Sequence, residues 1–185
     1  LKKKYAKKVS IYSSIEEIND INQFDIIIFA IKPQIAKKVV SQFCIINSKK
    51  ILFLSIIAGK KINFFEKYLL HSHQIIRVMP NMPALVEKGI TCLISNNLSS
   101  KKNKVIAGNL FKAVGEIIWL KNESEIDKVT AVSGSGPAFF FLFIEHLISE
   151  AAKLGLNQKV AEELVHQTAF GSMDLLFNSS NNAEE

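Results

Sequence analysis

Three short apolar runs constrain the fold of this chain most: DIIIFAI at 25–31, KILFLSII at 50–57 and QIIRVMP at 74–80. Each is rich in β-branched residues, and each stops at a turn former: Lys32-Pro33, Ala58-Gly59 and Pro80. Such runs read as strands buried on both faces, as in a parallel sheet. Helical spacing appears between them, in QIAKKVVSQF (34–43) and KINFFEKYLL (61–70). Two more strands, GITCLIS (89–95) and EIIWL (116–120), bracket a helix over 101–114, and Gly115 suits that helix's left-handed stop. This rhythm predicts a doubly wound α/β sheet. The lysine-rich first ten residues look helical, and KVSIYSS (8–14) offers a further short strand.

After Leu120 no strand-like run returns. Residues 126–132 fit a short helix. A long helix is predicted over 137–154, opened by Pro137 and closed by Gly155. Its first half is apolar nearly all round, which predicts burial on several sides, with Glu145, Ser149 and Lys153 along the wet edge. Asn157 can cap a last helix whose inner positions include Val160, Leu164, Thr168 and Met173. The tail NSSNNAEE (178–185) has no element of its own. The boundary falls near residue 122, giving an α/β part over 1–121 and a helical part over 122–185.

Composition narrows the function classes. The chain is 185 residues long, with 48% hydrophobic and 22% charged residues, an ordinary globular balance. Its longest apolar run, 138–144, is far short of the roughly 20 residues that span a bilayer, so no membrane partner is expected. No apolar signal segment follows LKKKYAKK. Cys44 and Cys92 are too few and too far apart for a zinc site or a disulfide framework, so no metal and a reducing, cytoplasmic setting are expected. The net charge of +6 comes from scattered lysine pairs, and Arg77 is the only arginine. Arginine does most bidentate phosphate and base recognition, so nucleic acid is not expected as a partner. His146 and His166 read as packed or partly exposed helix residues, and His71 and His73 as solvated loop residues.

Ligands of an open parallel sheet bind beyond the carboxyl ends of its strands. Here AIKPQ (30–34), SIIAGK (55–60) and VMPNMPA (78–84) all leave the sheet through proline or glycine, and together they suggest a shared crevice. The glycine fingerprint of a dinucleotide fold is not found before Asp25. AVSGSGPAFFFLF (131–143) does not supply it: Gly134 and Gly136 lack the third glycine and follow a helix-like segment.

Taken in order, DIIIFAIKPQ (25–34), LSIIAGK (54–60), RVMPNMPALVEKGIT (77–91), VGEIIWL (114–120), DKVTAVSGSGPAFFFLFIEHLISEAAKLGL (127–156) and HQTAFGSMDLL (166–176) resemble the pyrroline-5-carboxylate reductase family. The resemblance covers essentially residues 1–177. It implies a Rossmann-like α/β N-terminal domain and an all-α C-terminal dimerisation domain that interlocks with a second subunit. It also implies reduction of 1-pyrroline-5-carboxylate to L-proline with NADPH or NADH, the last step of proline synthesis. Ala30, Ile31, Lys32 and Pro33 would then lie along the cofactor, with Ser55, Ala58 and Gly59 near the nicotinamide and Met79, Pro80 and Asn81 lining the same crevice. Thr130 would be the catalytic hydroxyl near the imine, and Ser133, Gly134, Ser135 and Gly136 would meet the substrate.

Set against the family, both domains are expected to be incomplete: the first strand with its glycine loop at one end, and a Ser-Pro-Gly-Gly-Thr-Thr loop at the other. A chain so truncated would expose an apolar sheet edge and bind cofactor poorly. Two other readings stay open. One is a non-catalytic remnant that only self-associates. The other is a different reductase of similar plan, such as a β-hydroxyacid dehydrogenase, whose usual helix lysine is matched here only by the distant Lys153.

Overall fold

A computed structural model of the chain describes residues 9–69 and 73–179. It contains one five-stranded sheet in chain order: β1 (Ile26–Phe29), β2 (Leu52–Ser55), β3 (Gln74–Met79), β4 (Gly89–Ser95) and β5 (Gly115–Trp119). The helices are α1 (Ala36–Val40), α2 (Ile62–Tyr68), α3 (Lys101–Lys112), α4 (Glu125–Val129), α5 (Gly136–Lys153) and α6 (Gln158–Asn178). By its internal contacts the chain divides into two units, Leu1–Val129 and Thr130–Glu185.

The sheet keeps the α/β plan the sequence predicts but is not parallel throughout. β1, β2 and β3 are parallel, β4 and β5 are parallel, but β3 and β4 are antiparallel. The reason is length. Only residues 80–88 join β3 to β4, and they hold a short 3-10 turn, Met82–Val86. A parallel return needs a crossover of a dozen residues or more. Between β4 and β5 the 12-residue helix α3 supplies that crossover.

Every residue of β2 is buried, and its side chains alternate between two cores. Phe53 joins Phe29, Phe65, Ile75 and Ile126 on one side. Leu52 and Leu54 join Ile76, Val78, Leu93 and Ala107 on the α3 side. Phe29 stacks on Phe53 and Phe65 with centroids 5.8 Å apart, and meets Phe43 edge-on at 5.1 Å. Ile126 is fully buried in the first core, so α4 packs with the α/β unit and that unit runs to Val129.

Some expected elements are absent or shorter. Residues 9–14 form no strand, and the helix-like start over 1–8 lies outside the described residues. Among the described residues β1 pairs with β2 alone, and Ile28 on this edge strand is 45% exposed.

In the second unit a single π-helical turn, Thr130–Gly134, leads into α5. Pro137 sits in the first turn of α5, and Gly155, at φ +98, follows its end. Asn157 caps α6 by accepting the Val160 N–H at 3.0 Å. The phenylalanine run is not buried as its composition suggests: Phe139, Phe140, Phe141 and Phe143 are all more than half exposed. One neighbouring helix within the unit cannot cover a face this wide. In α6, Val160, Leu164, Thr168 and Met173 are also exposed, and the buried positions are Ala161 and Val165. Among the described residues one helical stretch, Glu125–Lys153, is long and apolar enough to cross a membrane. The run 138–144 is shorter than that stretch, which also takes in Val132, Leu147 and Ile148.

Candidate active site

Because β1, β2 and β3 are parallel, their carboxyl ends meet at one edge of the sheet. Phe29 is level with Ser55, and Ser55 with Arg77. The Ile56 N–H donates to the Phe29 carbonyl at 3.1 Å, tying the second tip to the first. Ser55 is buried, and its Oγ accepts the Ile57 N–H at 3.2 Å, tightening the turn. Ala58 and Gly59 then stand exposed. Gly59 has φ +70, and a Cβ there would meet nothing within 4 Å. Its backbone favours glycine, and the space above it is open.

On the neighbouring tip Ala30 and Lys32 are exposed, while Ile31 packs against the core and Pro33 is half-buried. The Lys32 and Pro33 carbonyls accept from Ile35 and Ala36 and start α1. On the third tip Met79 packs on the core, and the Asn81 Oδ1 accepts the Ile90 N–H at 2.9 Å. Asn81 thereby holds the 3-10 turn against β4. The turn closes tightly because Gly89 has no side chain: a Cβ would lie 2.8 Å from the Ala84 backbone. Thus Ala30–Pro33, Ser55, Ala58, Gly59 and Asn81, all proposed from sequence as one group, share one edge.

Thr130, Ser133, Gly134, Ser135 and Gly136 lie together in the second unit, in the π turn and at the start of α5. The Thr130 carbonyl accepts the Ser135 N–H at 3.0 Å and the Ser135 Oγ–H at 3.4 Å. A Cβ at Gly136 would meet nothing within 4 Å, so packing inside the unit does not demand a glycine there.

Two features were missed from sequence. The first is the role of Arg77. It is 3% exposed, on β3, and its Nη1 donates to Glu123 Oε1 at 3.1 Å, while its Nη2 lies 4.0 Å from Asp127 Oδ1. The same Glu123 oxygen accepts the Ile62 N–H at 2.7 Å. The signal was present, because a lone arginine inside an apolar strand requires a carboxylate partner. The second is His73, expected in solvent but 1% exposed. Its Nε2 is 3.1 Å from the Ile46 carbonyl, and its ring meets Phe53 edge-on at 5.0 Å. Burial pushes its pKa down, against smaller upward effects from the Ile46 and Ser48 carbonyls. His71 lies outside the described residues, and His146 and His166 are exposed.

The sheet with its open carboxyl edge, followed by a helical pair, defines the class: a Rossmann-like α/β unit joined to an all-α unit. Residues 123–185 match the family model described as pyrroline-5-carboxylate reductase dimerisation. The pyrroline-5-carboxylate reductase of Pseudomonas aeruginosa is 38% identical over 155 residues, covering 84% of this chain and 57% of that protein. That of Haemophilus influenzae is 30% identical over 175 residues, covering 95% and 65%. Among solved structures, the Plasmodium falciparum pyrroline carboxylate reductase with NADP bound has a TM-score of 0.81 at 35% identity, covering 88% of this chain and 62% of that one. The Coxiella burnetii enzyme has a TM-score of 0.79 at 34% identity, covering 87% and 60%. Over most of its length the chain is thus similar to pyrroline-5-carboxylate reductases, and its C-terminal third matches their dimerisation region. It spans 57% and 65% of the lengths of the two curated relatives named above.

Proposed function

We propose that the whole protein reduces 1-pyrroline-5-carboxylate to L-proline, with NADPH or NADH as the reductant, as the last step of proline synthesis. The observation that carries this reading is the shared carboxyl edge of β1, β2 and β3, in a chain similar to these reductases over most of its length. The edge fits a nicotinamide cofactor: its tips are exposed, and Gly59 leaves open space where a side chain would intrude. Ala30–Pro33 and Ala58-Gly59 would hold the cofactor, which supplies the hydride when bound.

The chain's own residues supply position and proton control. Ser55 and Asn81 fix their tips through backbone hydrogen bonds, so the crevice is formed before ligand arrives. The Thr130 hydroxyl is the proton relay to the imine nitrogen, and a protonated imine accepts hydride more readily. Ser133, Gly134, Ser135 and Gly136 hold the substrate, supported by the π turn that fixes their backbone. The exposed phenylalanines of α5 support self-association, at least to a dimer, as the way this face is covered.

Fluorescence titration of the purified whole protein with NADPH and NADH tests the cofactor assignment. Saturable binding of either is expected, and binding of neither by folded protein contradicts it.

A further inference from the structure

The tip between β2 and α2 is held at its two ends and not in its middle. At the front, Ile56 and Ile57 are fixed by the Phe29 carbonyl and the Ser55 hydroxyl. In the middle, Ala58 and Gly59 are exposed, and nothing crowds Gly59. At the rear, the N–H of Ile62, the first residue of α2, donates to Glu123 Oε1 at 2.7 Å. That oxygen is placed by Arg77, which is buried on β3 in register with Ser55 itself. The sheet thus fixes both ends of the tip, directly through Ser55 and indirectly through Arg77 and Glu123. The only arginine of the chain directs its guanidinium at two acidic side chains, Glu123 and Asp127.

We infer that Glu123 is a positioning residue for the cofactor-facing tip 56–61, held in place by Arg77. The inference rests on the nicotinamide reading above for its functional consequence. Glu123 touches no reacting atom in this account. It acts through Ile62, setting where α2 begins and therefore the course of the short tip before it.

A purely stabilising ion pair would behave differently, and two substitutions separate the cases. Glu123→Gln removes the charge but keeps an oxygen for the Ile62 N–H, whereas Glu123→Ala removes both. Arg77→Leu combined with Glu123→Ala also lacks the anchor but leaves no orphaned buried guanidinium, and so serves if the single alanine variant fails to fold. NADPH affinity is measured by fluorescence titration, and amide hydrogen exchange is followed across 56–62. The anchor-less variants are expected to bind NADPH about tenfold more weakly or worse, with faster exchange across the tip, and Glu123→Gln to restore most of both despite a lowered Tm. Wild-type affinity and exchange in an anchor-less variant would overturn the inference, as would equal losses in the Gln and Ala variants. If the wild-type protein binds neither NADPH nor NADH, the cofactor reading fails. The exchange comparison then still decides whether Glu123 holds the tip.

Discussion

Gly115 faces Gly89 across the β4–β5 pair, and a side chain on Gly115 would run into the Gly89 carbonyl. Gly115 also has φ +140, a conformation that side-chain-bearing residues rarely adopt. Gly115→Ala is therefore expected to cost about 3 kcal/mol or more, from strain and overlap together. Gly59→Ala, at φ +70 in open space, should cost only about 1 kcal/mol. Urea unfolding of the two variants checks the difference. Equal costs would mean that the close approach at Gly115 is not what constrains this edge.

Asn96 uses its side chain on both sides. Its Oδ1 accepts from the Ile75 N–H at 3.1 Å and the Ser99 hydroxyl at 2.9 Å, and its Nδ2 donates to the His73 carbonyl at 2.9 Å. Asn96→Ala leaves several of these buried groups unpaired and should destabilise the α/β unit by about 2–4 kcal/mol. Asn96→Asp keeps the acceptor but loses the donor to the His73 carbonyl and to Glu66 Oε1, and sets a second carboxylate against Glu66. Denaturant midpoints of the two variants rank the contributions.

His73 gives the fold a defined acid response. Its folded pKa lies below the ordinary value of 6.5, while the unfolded chain titrates near that value. Its contribution is thus complete above pH 6.5 and is lost as the pH falls from there towards the folded pKa, because the unfolded state takes up the proton first. His73→Gln should remove that part of the slope when urea midpoints are measured from neutral pH downwards. An unchanged slope would assign the acid response to other groups.

Phe139 and Phe141 are 68% and 57% exposed on α5. If a second copy covers these side chains, which lie on two sides of α5, Phe139→Glu together with Phe141→Glu should shift sedimentation from a dimer or larger species towards monomer, while far-UV circular dichroism keeps its helical signal. Wild-type protein that sediments as a monomer at all concentrations would remove the proposed self-association.

How far the sequence carried these conclusions depends on the range of the interactions involved. The strand runs were legible because β2 and most of β3 are buried and the runs stop at proline or glycine. The α6 cap at Asn157 and the ends of α5 were legible because they are local. The reversal at β4 was hidden because alternating apolar residues fit either strand direction, and only the short link over 80–88 argues for an antiparallel return. The Arg77–Glu123 pair joins residues 46 apart, which no local pattern encodes. His73 looked like a loop residue because its burial comes from Ile46 and Phe53, far back in the chain. The phenylalanine run announced an apolar helix but not what lies against it.

The central claim is tested most directly by supplying 1-pyrroline-5-carboxylate and NADPH or NADH to the purified whole protein and measuring both cofactor oxidation and L-proline. The account predicts substrate-dependent oxidation with one L-proline formed per cofactor consumed, strongly reduced in Thr130→Val. Folded, cofactor-binding protein that forms no L-proline with either cofactor would contradict it.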